Sequence, residues 1–377
     1  MLRKPPSEVA GVLRITRRRF FVGCTAAALA RAVLAEGGRS VWAGAAEKAA
    51  RYLCKRQNVD GSWPSDVYGA FKDGRALTPL VTLALTEIGM SSFSSELNRA
   101  CFWLENNRDS VAEVFPVHNS SWLLQAAARD DRLAGFRKPM TKRLRDLQIG
   151  EAEKWPADHH YFGGWGYAAR APVVSDSVPP FQQPNLSATV LAVDGLRAAG
   201  LRHDDSALQA ASAFLFRCQN QTPEGTPTKF DDGGFFQMRD DPSRNKAGRA
   251  GEDPDGRVRQ RSYTCATADG LRGVLACGGA VSDDRVKSAV RWLQLHANID
   301  DVPDLRFYAS SSLALAHRAL SKSAKTTCAA WAEKTCSALI DSQRPDGSWL
   351  NDAIEMREDD PIVATALGLL ALMRFAG

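Results

Sequence analysis

The sequence predicts an all-α protein in which six helix pairs close into a ring of two concentric layers. Three observations carry this. First, Gln57-Asn58-Val59-Asp60-Gly61-Ser62-Trp63 recurs 286 residues later as Gln343-Arg344-Pro345-Asp346-Gly347-Ser348-Trp349, which marks a repeat protein. Second, helical segments keep coming in pairs, the first ending at Gln or Asn and the second rich in small apolar residues. Third, the second members are apolar on more than one face and belong in an interior, while the first members carry regularly spaced polar residues and belong at the surface. A closed ring satisfies both patterns and leaves no apolar edge.

The outer members are expected over residues 45–57, 96–106, 140–148, 206–219, 284–296 and 327–343. The inner members are expected over 78–88, 120–128, 186–199, 263–276, 307–319 and 361–375. Several ends have a mechanism. Asp360 precedes Pro361, an N-cap acid before a proline at the first helical position, and Thr78-Pro79 has the same form. Gly89 and Gly200 stand where helices stop. Two long loops interrupt the rhythm. Residues 149–184 hold His159-His160-Tyr161-Phe162-Gly163-Gly164-Trp165-Gly166-Tyr167, an ordered aromatic loop. Residues 220–260 hold Asp231-Asp232-Gly233-Gly234-Phe235-Phe236 and then a charged run, 239–261, that reads as solvated and mobile.

The chain has 377 residues, 44% hydrophobic and 24% charged, enough for one large domain. Its pI near 8.8 misleads. Residues 1–31 contain seven basic side chains and one acid, so the remainder is close to neutral and offers no nucleic acid an electrostatic footprint. Thr16-Arg17-Arg18-Arg19-Phe20-Phe21, an Ala-rich apolar run and small residues before position 36 form an export signal over 1–35, similar to the twin-arginine type. The expected body is 36–377, placed outside the cytoplasm by the twin-arginine machinery. Cys328 and Cys336 lie eight apart on one helix, about 12 Å, beyond the ~7 Å reach of a disulfide. The thiols read mainly as small core residues.

The repeated Gln-x-x-Asp-Gly-Ser-Trp, with degenerate copies at Gly163-Gly164-Trp165-Gly166-Tyr167 and at Gln219 with Asp232-Gly233-Gly234-Phe235, resembles the QW repeats of squalene–hopene and oxidosqualene cyclases. Protein prenyltransferase β subunits carry similar repeats. The resemblance covers residues 45–377 and implies an α6/α6 toroid around a cavity for a polyisoprenoid or related lipid. A Gln amide can satisfy orphan backbone groups at a helix end, Asp-Gly makes a tight turn, and the Trp ring is expected over the Gln and the next helix. These residues are therefore read as staples.

The family's chemistry is not matched. Its Asp-x-Asp-Asp proton donor is missing; the nearest stretch is Asn298-Ile299-Asp300-Asp301, with Pro303 close behind. Asp300 to Asp304 also spells Asp-Asp-x-x-Asp, but Pro303 opposes the helix that motif needs. No cysteine has an Asp two residues before it, so the zinc pattern is missing too. Asp158, His159 and His160 make only a surface loop cluster, and no cofactor or metal is expected. The candidate catalytic residues are Asp300, Asp301, Asp231 and Asp232. The candidate substrate-binding aromatics are Trp165, Tyr167, Phe235, Tyr263 and Tyr308. The alternative is a non-catalytic binding or scaffold module built on the toroid.

Overall fold

A computed structural model describes residues 42–376 apart from 223–227, 242–243, 254–255, 257, 325–328 and 355. The expected export signal lies outside the described residues. Six outer helices alternate with six inner ones. The outer set is α1 (42–55), α3 (Ser94–Asn106), α6 (Arg137–Asp146), α8 (Ser206–Arg217), α10 (Asp284–His296) and α12 (Ala329–Asp341). The inner set is α2 (Thr78–Ile88), α5 (Pro116–Ala127), α7 (Leu186–Ala198), α9 (Thr264–Ala276), α11 (Arg306–Ala324) and α13 (Pro361–Ala376). A short α4 (Arg108–Glu113) precedes α5. Each inner helix packs on the next, and α13 packs back on α2, so the ring is closed. The fold is the expected α6/α6 toroid.

Helix ends shift by a few residues for local reasons. Phe115 takes a left-handed φ of 44° and Pro116 opens α5, so that helix begins earlier than its apolar run suggests. Asp360 caps α13 as expected, accepting from Ile362 N at 2.8 Å. Thr78 is not a cap. It lies inside α2 after Leu77, and its hydroxyl accepts the Trp63 N–H at 3.0 Å instead.

The repeat shows its purpose in four copies. Gln57, Gln148, Gln219 and Gln343 each donate Nε2 to the carbonyl of their own loop glycine (Gly61, Gly163, Gly233, Gly347). The same amide donates to a carbonyl at the start of the next outer helix: Glu96, Ala207, Arg285 and Ala45 respectively. The last bond joins the sixth repeat to the first. The four glycines have φ between 81° and 99°, and a Cβ on Gly163 would sit 2.0 Å from the Ala210 carbonyl oxygen. Only glycine fits there.

The staple Trp residues reach both ways, and the Trp349 ring lies on the following inner helix as expected, where a Cβ on Gly368 would sit 2.8 Å from it. Trp63, Trp165 and Trp349 donate Nε1 to carbonyls of the preceding outer helix at 2.7 Å (Leu53, Leu144, Leu339). Their backbone N–H groups bond to Thr78, Thr189 and Thr365 on the following inner helix. Phe235 takes the same slot, its N–H on Thr267 Oγ1 at 3.0 Å. The ring therefore ties an outer helix to its inner partner.

The run 239–261 differs from expectation. Arg249–Glu252 and Val258–Gln260 pair as antiparallel strands β1 and β2. Gln260 is 2% exposed. Arg259 ties the hairpin to the 220–236 loop through Asp231 at 3.0 Å and braces the hairpin internally through Asp253 at 3.1 Å. The six described cysteines are unpaired, and five of them are buried.

Candidate functional site

The inner helices enclose a cavity of about 160 Å³. Helical periodicity selects its lining. His118, Trp122 and Gln125 share a face of α5; Tyr308, Ser311, Ser312 and Leu315 share a face of α11; Val363, Leu367, Leu370 and Arg374 share a face of α13. Leu191 and Asp194 come from α7, Arg272 from α9 and Leu80 from α2.

The two ends differ chemically. Around the inner-helix N-termini the wall is aromatic. Ring centroids run from Tyr68 to Phe71 (5.5 Å), Phe115 (5.6 Å), His118 (6.2 Å), then Trp122 and Tyr167 (5.5 Å each). Phe115 is 42% exposed, so this end meets solvent. Burial among these rings pushes the His118 imidazole down to about 4, and its Nδ1 has no hydrogen-bond partner. It is a neutral group facing an apolar space.

Toward the C-terminal ends of the inner helices the wall becomes ionic. Arg272 pairs with Asp194 on the neighbouring helix α7 and with Asp269 at 2.8 Å, and Tyr308 Oη donates to Asp269 at 2.7 Å. Burial pushes the Asp194 carboxyl above the usual carboxylate range, against the pull of Arg272. Arg374 donates to Ser311 Oγ (3.1 Å) and Gln125 Oε1 (3.2 Å) and meets Glu87 at 3.4 Å. Burial lowers Arg374 to about 10 despite Glu87. Arg129 and Arg318 also reach Glu87, at 2.8 and 3.7 Å. This cluster closes the far end. Arg374 stands in the last turn of α13, where the macrodipole favours a cation.

Of the sequence-predicted site residues, Tyr308 alone lines the cavity, and Tyr167 stands behind His118, bonded to Ser187 at 2.9 Å. Trp165 and Phe235 are buried between the layers as repeat staples, and Tyr263 is 3% exposed beside Phe235 at the start of α9. Asp301 accepts the Thr264 N–H at 2.7 Å and so caps α9. Asp300 is half-exposed against Arg306 at 3.4 Å. Asp231 holds Arg259, Thr222 and Thr228. Asp232 closes the Gly234 turn at 2.9 Å and accepts from Ser262 and Trp292. Asp232 and Asp301 share a surface groove, away from the cavity. His160 pairs with Asp240, and no group of three metal-binding side chains occurs among the described residues.

Sequence reasoning searched loops for acids and missed Asp194, Arg272, Arg374 and Gln125, which interrupt apolar helices. A signal was present: Asp194-Gly195-Leu196-Arg197 in α7 and Asp269-Gly270-Leu271-Arg272 in α9 spell the same charged tetrapeptide inside two inner helices.

Comparison with solved structures places the toroid among known ones. A type II terpene cyclase from Scytonema, in complex with geranylgeranyl dihydroxybenzoate, aligns with a TM-score of 0.55 at 15% identity, over 90% of this chain and 99% of that one. An alpha-1,6-mannanase from Salegentibacter aligns at 0.57 with 11% identity, over 89% and 99%. Comparisons with models of protein families and with curated proteins find no match. At these identities the likeness is one of fold.

Proposed function

We propose that this protein holds an apolar chain, an isoprenoid or related lipid, in its central cavity, and does so outside the cytoplasm after twin-arginine export. The observation that carries the reading is the continuous aromatic wall from Phe71 to Trp122, opening onto the aliphatic face of Leu80, Leu191, Leu367 and Leu370. Aromatic and aliphatic walls with a few fixed polar groups suit such a ligand. The left-handed φ of Phe115 supports it as well, because a strained bulky residue costs on the order of 1–3 kcal/mol and such strain gathers at ligand sites. Export rests on the arginine-led segment at residues 16–35.

Binding is favoured over cyclisation by one contact. Asp194 is the acid among the lining residues, and Arg272 is bonded to it. A cyclase's proton donor must stay protonated, and a guanidinium partner works against that. Glycoside hydrolysis ordinarily uses a pair of acids, and the described cavity lining holds one, Asp194. The second reading, proton transfer by Asp194, is favoured by the burial that raises its pKa.

The test is native mass spectrometry of the protein after exposure to squalene and to geranylgeraniol in micelles. Retention by the wild type, lost in Leu370→Trp, is the expected result. No retention, or equal retention by the filled variant, overturns the reading. Asp194→Asn then separates the two versions: a binder is unchanged, whereas a catalyst retains ligand and no longer converts it.

A further inference from the structure

A groove of about 370 Å³ lies on the outer layer, between the end of α8 and the start of α10, and is separate from the central cavity. Four arginines line it, Arg217, Arg239, Arg259 and Arg285, and no acid lines it among the described residues. Asp231 and Asp253 neutralise Arg259. No carboxylate stands within ion-pair distance of Arg217 or Arg285 in the described structure. Arg217 donates to the carbonyls of Phe162 and Ala157, and Arg285 donates to Gln219 Oε1 and the carbonyls of Phe216 and Gln221. Burial lowers the pKa of both. Asp158 and Asp283 act on them only at longer range, and Arg285 stacks on the Phe216 ring at 4.4 Å, so these partly buried cations lack a carboxylate in direct contact.

The repeat sharpens the point. The carbonyl that accepts from the staple glutamine belongs to Glu96, Ala207, Arg285 and Ala45 in the four copies, so Arg285 occupies a position filled elsewhere by Glu or Ala. It is a cation in the first turn of α10, the end where the helix dipole favours anions. Departures from a local rule tend to mark function. An independent sign comes from Gln260. Its side chain lines the groove at 2% exposure, and neither its amide oxygen nor its nitrogen has a partner.

We propose that this groove binds a phosphate-type oxyanion, received by Arg217 and Arg285 with the Gln260 amide as a further donor. Guanidinium forks match the geometry of phosphate oxygens, and the anion would supply the charge that the repeat position lacks. The site stands on its own residues and does not depend on what fills the central cavity.

The test is calorimetric titration of the full chain with inorganic phosphate, pyrophosphate and a short-chain phosphatidic acid, in Gln260→Met, Arg285→Gln and the wild type. Saturable wild-type binding that weakens at least about tenfold in both variants is expected, since each removes a charged or polar contact of the order of one such step in affinity. The tighter of the inorganic and lipid ligands identifies the source of the phosphate. Arg285 also holds Gln219, so R285Q alone could act through folding; Gln260 makes no side-chain bond, and Q260M keeps the fold intact. No saturable binding by the wild type, or undiminished binding by a folded Q260M, overturns the proposal.

Discussion

Gln219→Met tests the repeat as an energetic device. The two side chains are similar in length, so the substitution removes polar contacts with little change in shape. Gln219 Nε2 donates to the carbonyls of Gly233 and Arg285 at 2.9 Å each, and its Oε1 accepts from Arg285 Nε at 3.0 Å. The residue is 5% exposed, so water cannot replace these bonds. Neutral bonds contribute about 1 kcal/mol each and a charged donor about 2, which sums to about 4 kcal/mol. Burying the Met side chain returns about 1 kcal/mol, leaving a loss of about 3 kcal/mol. At about 2 °C per kcal/mol for a chain of this size, the melting temperature should fall by about 6 °C. Gln343 makes the same two Nε2 bonds in a partly buried setting and lacks the charged donor, so Gln343→Met should lose only about 1 kcal/mol. Urea unfolding followed by tryptophan fluorescence gives both values. If Q219M lies within about 0.5 kcal/mol of the wild type, or loses less than Q343M, the staple argument is wrong.

Other consequences are as direct. Gly163→Ala should cost at least about 2 kcal/mol, since its φ of 88° and the Ala210 carbonyl both exclude a Cβ; a small effect in a thermal melt would contradict the packing described. The His118 pKa of about 4 lies below its unfolded value, so the unfolded chain binds more protons between those limits. Stability should therefore fall as pH drops from about 6.5 to 4, by at most about 3 kcal/mol, and His118→Phe should flatten that window; a parallel pH profile in the variant would count against it. Asp301→Ala should lose about 1 kcal/mol of stability, the worth of a helix cap, and leave ligand retention in the cavity unchanged. Impaired retention in a folded D301A would return that residue to the site.

The ring of helix pairs was legible because the inner helices are apolar all round and the staple motif is spelled out twice. Phe235 was legible as a degenerate Trp for the same reason. The site was far less so. Trp165, Phe235 and Tyr263 look like cavity aromatics in one dimension, but the motif commits Trp165 and Phe235 to the space between layers, and Tyr263 packs where α9 begins. Asp301 sits in an acidic loop in the sequence, and only the fold shows that the loop turns back to cap α9. Asp194, Arg272 and Arg374 lie in helices that carry only one or two charges each, too few to disturb the apolar pattern. Their meaning comes from side chains on different helices meeting across the ring. The hairpin strands at 249–252 and 258–260 have no strand pattern of their own, and Arg259 ties them to Asp231, 28 residues away in sequence.

The bond from Gln343 to Ala45, together with α13 lying on α2, gives this protein no terminal repeat. An open solenoid frays inward from its ends, because each end unit has one neighbour. Here every unit has two, so local opening must break two interfaces wherever it starts. Amide hydrogen exchange should then be even around the circumference, with α1 and α13 as slow as α7, and the molecule should come apart as one cooperative body.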